Sequence, residues 1–275
     1  MTARLASRLT TLRAQSRAAL VVYVMASDPN FDVCLDILRG LPAAGADIIE
    51  LGFPFSDPMA DGPSIQRAGQ RALKAGGSLK QTLELAGRFR AHDADTPLIL
   101  MGYANPIEQM GYGAFARAMA DAGADGAIVV DLPPEEDAPL RAAFAPLGLS
   151  IIRLATPTSD DKRLVKVLDG ASGFLYYVSV AGVTGANAAR NEEIRTAVAR
   201  LKRATELPIA VGFGVRGPEA ARAIAAIADA VVVGSAFVDE IAAGPPEQAV
   251  ERVLRKVRLL SEAVRSARAF EGTPA

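Results

Sequence analysis

Apolar residues in this chain fall into short unbroken runs, separated by stretches where they recur every third or fourth position. The runs are ALVVYVMA (19–26), DIIELGF (47–53), PLILMGY (97–103), GAIVVD (126–131), SIIRLA (150–155), GFLYYVS (173–179), PIAVGFG (208–214) and DAVVVGS (229–235). None alternates cleanly between apolar and polar, which is the signature of parallel strands covered on both faces. Helical spacing follows the runs, as in FARAMADAG, LVKVLDGA, EEIRTAVARLKRAT and EQAVERVLRKVRLLSEAV, where Val250, Val253, Leu254, Val257 and Val264 share a face. An amphipathic helix precedes the first run, with Leu5, Leu9 and Leu12 on one side. Short AGAD turns at 44–47 and 122–125 lead into strands, with glycine ending the helix before each.

Eight strand–helix units without a linker predict one (β/α)8 barrel domain over residues 1–275, with the extra N-terminal helix added. The alternative is a doubly wound open sheet. GFGVRG at 212–217 fits the dinucleotide fingerprint in form, but it follows a late strand and lacks the acidic partner about 20 residues on.

Half of the 275 residues are hydrophobic and the formal net charge is −1, so a large core is available and no basic nucleic-acid surface is indicated. The single cysteine, Cys34, reads as a small core residue and cannot form an internal disulfide, which fits a reducing cytoplasm. No apolar run reaches the roughly 18 residues of a membrane span, and the N-terminus has no secretory h-region. With one histidine, His92, in a polar connection, no transition-metal cluster can be drawn. No lysine lies in a strand and no nucleophile elbow occurs, so the chemistry must rest on carboxylates, phenols and backbone amides.

Glu50 lies inside the second apolar run, where ionisation is costly and a raised pKa suits proton transfer; a structural carboxylate is the other reading. The loop after it, 54–63, carries Asp57 and Asp61. Ser64 is the expected cap of the following helix, which leaves Asp61 free to face a pocket, while Asp57 reads as turn scaffolding. A second long connection, 181–191, opens on the same face, and long loops there commonly act as lids. Gly185, Gly212, Gly214, Gly234 and Ser235 lie in late loops, where glycine amides and a helix start commonly bind phosphate. Tyr176 and Tyr103 are buried phenols by position, and Asp131 reads as a cap for the next helix.

Taken in order, ELGFPFSDPMADGPSIQRA, LILMGYANPI, DGAIVVDLPPEE, YYVSVAGVTGA, AVGFGV and VVVGSAFV resemble the α subunit of tryptophan synthase across nearly the whole chain. The resemblance implies cleavage of indole-3-glycerol phosphate to indole and glyceraldehyde 3-phosphate. It implies no cofactor in this chain, and a pyridoxal-phosphate-dependent β subunit that receives the indole in an α2β2 heterotetramer. Glu50 and Asp61 match the family's two catalytic carboxylates and Tyr176 the tyrosine beside them. Gly185, Phe213, Gly214, Gly234 and Ser235 match positions around the substrate phosphate, and Thr184 matches the threonine of the mobile sixth loop. Tyr23, Met101, Ile128 and Leu154 are expected to enclose the indole, with Tyr103 nearby. The partner-facing surface is expected from the second and sixth loops and segment 105–113.

Three positions depart from the family pattern: Ser27 where GDP is common, Val180 where an arginine often precedes the sixth loop, and Arg153 in strand five. Two other readings stand beside this one. The chain could be another phosphate-binding barrel lyase or isomerase, or a catalytically silent partner that only activates a second subunit.

Overall fold

The structure, a computed structural model, describes residues 1–179, 187–212 and 214–268, without the side chains of 187–190. Val180, Thr184, Gly185 and Phe213 lie outside the described residues.

The parallel strands are β1 (Ala19–Met25), β2 (Ile48–Gly52), β3 (Leu98–Gly102), β4 (Gly126–Val129), β5 (Ser150–Ile151), β6 (Arg153–Ala155), β7 (Leu175–Val178), β8 (Ile209–Gly212) and β9 (Ala230–Val233). They pair in the order β5-β4-β3-β2-β1-β9-β8-β7-β6. The expected fifth strand is split at Ile152: its first half pairs with β4 and its second with β7. Because one residue joins the two halves, the chain itself closes the ring. This is the (β/α)8 barrel.

The continuous apolar runs are explained by two cores. Val21, Ile48, Ile99, Ile128, Ile152 and Phe174 point into the barrel, while Leu20, Val22, Ile49, Leu51, Leu98 and Leu100 point out against the helices. Burying each such side chain contributes about 1.5–3 kcal/mol. Helix α1 (Ala3–Ala14) plugs the barrel floor, with Leu5 and Leu12 buried in the inner cluster and Leu9 packed against it.

Helices α2 (Phe31–Ala44), α3 (Pro63–Lys74), α4 (Leu79–Arg90), α5 (Ala104–Met110), α6 (Tyr112–Asp121), α7 (Ala138–Phe144), α8 (Asp161–Leu168), α9 (Asn187–Ala204), α10 (Pro218–Ala225), α11 (Ser235–Ala242) and α12 (Ala249–Arg265) surround the strands. Gly45 and Gly123 stop α2 and the turn after α6 at φ of 106° and 71°, a conformation costly for any residue with a Cβ. The aspartates of the same turns brace the barrel floor. Asp47 accepts from Leu20 N–H at 2.9 Å and from Arg17, and Asp125 accepts from Leu98 N–H at 2.8 Å and from Arg4. Each fastens the foot of the neighbouring strand, so the repeat serves stability and leaves the opposite rim to function.

Two local expectations are refined, and two of the departures find a structural account. Gly62, not Ser64, is the N-cap of α3, because Pro63 takes the first helical position with its fixed φ; the Ser64 hydroxyl instead accepts from Arg67 at 3.2 Å. Asp131 does cap a helix, but α5 from across the rim, accepting from Ala104 N–H at 2.7 Å. Arg153 faces outward, between the inward-facing Ile152 and Leu154, and is neutralised by buried Asp137, so its charge does not enter the barrel. Ser27 holds φ of 63°, in the left-handed region that glycine occupies freely, and its hydroxyl bonds Gln81 at 3.2 Å.

Candidate active site

The rim formed by the strands' C-terminal ends surrounds a cavity of about 650 Å³. That is the size of an ordinary small-molecule site. Glu50 enters it from β2. Strand alternation turns Ile49 and Leu51 outward, so Glu50 points inward above Ile48. The side chain is 1% exposed, and its Oε1 has no hydrogen-bond partner. Burial without a counter-charge pushes its carboxyl up to about 8.

Asp61 reaches the cavity from the loop between β2 and α3. That loop is fixed by a backbone bond, Asp61 N–H to Pro58 O at 3.1 Å, and by the Gln66 side-chain amide, which donates to Asp61 O at 2.9 Å. Tyr103, just past β3, braces it: its hydroxyl accepts from Ala60 N–H at 3.0 Å and lies near enough to the Asp61 carboxyl to lower its pKa. Its ring lies 5.4 Å from that of Phe55 in the same loop. Burial raises the Asp61 carboxyl to about 6, against the opposing pull of the Tyr103 hydroxyl. Between about pH 6 and 8, then, Glu50 is protonated while Asp61 is charged. Two carboxyls in one cavity with separated titrations are suited to different roles.

Removing the Tyr103 hydroxyl tests that support. Tyr103→Phe is expected to raise the Asp61 carboxyl above about 6, followed by NMR titration, because the lowering influence of the phenol is lost. An unshifted titration would show that Tyr103 does not govern Asp61.

Two phenols share the interior with Glu50. Tyr23 on β1 and Tyr176 on β7 are buried, and burial raises both well above the ordinary phenol value, with Asp61 and then Glu50 adding to it at Tyr23 and Glu50 at Tyr176. Each ring lies over a glycine of a neighbouring strand. A Cβ on Gly52 would come within 2.2 Å of the Tyr23 hydroxyl, and one on Gly212 within 2.2 Å of the Tyr176 hydroxyl. Gly212 thus makes room for the Tyr176 phenol.

Met101 and Leu154 line the cavity as expected, but Ile128 does not. Ile128 pairs with Met101 across β3 and β4, yet it sits in the inner apolar layer below, and Val130 forms the wall. Barrel strands tilt, so a paired residue need not share its partner's height. Val178 and Val232 also line the cavity, at strand positions that inward alternation could have singled out, and so does Thr156, just past β6.

Gly214, Gly234 and Ser235 also line the cavity. Gly214 holds φ of 78°, letting the backbone turn against the cavity without a side chain. Gly234 is the N-cap of α11 with no side-chain cap, so the first amides of that helix remain available to an anion.

The geometry agrees with three comparisons with known proteins. The family model of the tryptophan synthase alpha chain matches residues 9–265. The tryptophan synthase alpha chain of Caulobacter sp. (strain K31) is 57% identical over 267 residues, covering 96% of this chain and 97% of that protein. That of Caulobacter vibrioides (strain NA1000 / CB15N) is 56% identical over the same length. The crystal structure of tryptophan synthase subunit alpha from Legionella pneumophila str. Paris superposes with a TM-score of 0.89 at 38% identity, covering 96% of this chain and 99% of that one. With a match of this extent over a barrel whose rim carries two carboxyls, the chain belongs to the tryptophan synthase alpha chain family.

Proposed function

We propose that this chain cleaves indole-3-glycerol phosphate by a retro-aldol reaction in which Glu50 shuttles the proton and Asp61 steadies the ring. The observation that carries the assignment is the convergence of Glu50, buried with no partner for its Oε1, and Asp61 on one cavity. Protonated Glu50 delivers its proton to C3 of the indole, making the ring an electron sink. The resulting carboxylate takes the proton of the adjacent side-chain hydroxyl as the carbon–carbon bond breaks. The bonding electrons return to the ring, giving indole and an aldehyde, and Glu50 regains its proton. Asp61 accepts the indole N–H and offsets the positive charge that the protonated ring develops.

Tyr23, Met101, Leu154 and Tyr176 form the walls for the aromatic ring, and Gly214, Gly234 and Ser235 face the phosphate. The enzyme is the lyase half of tryptophan synthase. Its partner is the β subunit of an α2β2 complex, which carries the pyridoxal phosphate and consumes the indole. The second loop, where Met59 is 78% exposed, and segment 105–113 supply the partner-facing surface. Among the described residues no cluster suits a metal ion, and no helix is long and apolar enough to cross a membrane. Work in the cytoplasm as a single barrel domain fits a chain whose one cysteine is buried and unpaired.

The test is direct. The chain, alone and with the β subunit, is supplied with indole-3-glycerol phosphate, and indole and glyceraldehyde 3-phosphate are measured. Equal amounts of both are expected; no cleavage in the presence of the partner overturns the assignment.

A further inference from the structure

Next to Gly214 and Ser235 stands a cluster that the reaction described so far leaves unused. Arg216, two residues past Gly214, lines the cavity, and its Nη1 lies 3.2 Å from Asp239 Oδ2. Arg67 on α3 approaches the other oxygen of Asp239 at 3.9 Å and donates to Ser64 Oγ, whose residue also lines the cavity. Asp239 sits four residues beyond Ser235, one turn along α11. Three elements therefore bring two guanidinium groups and one carboxylate to the mouth, an excess of one positive charge. The Arg216–Asp239 pair is exposed, with 67% and 37% of the side chains accessible, so its attraction is screened and exchanging it costs little.

We propose that Arg216 is a further substrate-binding residue, which leaves Asp239 on substrate entry and closes its guanidinium on the phosphate, while Arg67 retains Asp239. The inference rests on the cavity's taking a phosphorylated substrate. A phosphate monoester carries nearly two negative charges at neutral pH, and the planar fork of arginine matches its oxygens. Asp239 then acts as a competitor: it holds Arg216 in readiness and weakens binding by the same attraction.

That competition gives the two partners opposite signs. In steady-state assays of the complex with the β subunit, Arg216→Ala is expected to raise KM about tenfold with kcat within about twofold, and Arg216→Lys to fall between. Asp239→Asn is expected to lower KM about two- to threefold, because it frees the guanidinium. Raising ionic strength should increase the wild-type KM more steeply than that of Arg216→Ala. Inorganic phosphate, as a separate probe measured by calorimetry, should bind the alanine variant correspondingly more weakly. If the alanine and asparagine variants both raise KM, the pair is a structural brace and the proposal fails; unchanged KM in both also overturns it. Should the unmodified complex release no indole, the functional assignment fails instead, and phosphate binding alone decides the role of Arg216.

Discussion

Glu50→Gln is expected to lose about three orders of magnitude in kcat for indole release, while substrate affinity stays within a few-fold. The glutamine keeps the shape and one acceptor but can neither deliver nor take a proton. The same substitution should make the barrel harder to unfold at alkaline pH. Glu50 has an ordinary carboxyl pKa of 4.5 when exposed and about 8 when buried in the fold. A raised folded-state value means stability that is whole below about pH 4.5, declines as pH climbs, and is lost once pH has passed through about 8. The interval corresponds to roughly 4–5 kcal/mol, an upper figure that relaxation of the site would reduce. Glutamine has no such slope. Urea unfolding at pH 5 and pH 9 should therefore show the variant's advantage growing by a few kcal/mol at the higher pH. Parallel stabilities for wild type and variant would mean that Glu50 ionises at no cost, and the argument for it as the proton shuttle would fall.

The barrel was legible because parallel strands covered on both faces leave continuous apolar runs, and each of the eight runs coincides with a strand or, at 150–155, a split one. Their ends were less so. Tyr103 and Asp131 read as strand residues, but both lie past the ladder, where they fasten loops. Glu50 stood out because a carboxyl in an apolar run is anomalous on chemical grounds alone. Ile128 was misplaced by one layer because pairing in a tilted sheet does not fix height, and sequence carries no direct record of tilt. Gly212 was read among the glycines suited to an anion, but what demands glycine there is the Tyr176 ring packed over it, a contact between strands that no local pattern encodes. Arg216 carried no signal in sequence either. Its interest arises only where α3, the loop after β8 and α11 converge.

Asp61→Asn is expected to lower kcat/KM by about 10²–10³, the usual cost of removing a group that stabilises developing charge in an enclosed site. Asparagine can still accept the indole N–H, so binding should weaken only a few-fold while the charge on the ring goes unbalanced. The pH profile separates this role from simple support. In the wild type, kcat/KM should rise as Asp61 ionises through about 6 and fall as Glu50 gives up its proton through about 8. The variant should lose the acidic limb and keep the basic one, because only the second titrating group remains. Tyr103→Phe should displace the limb that Asp61→Asn removes, since the phenol acts on activity through that carboxyl. If the acidic limb persists in the asparagine variant, another group governs it. The ionised partner of the protonated ring must then be sought elsewhere on the rim.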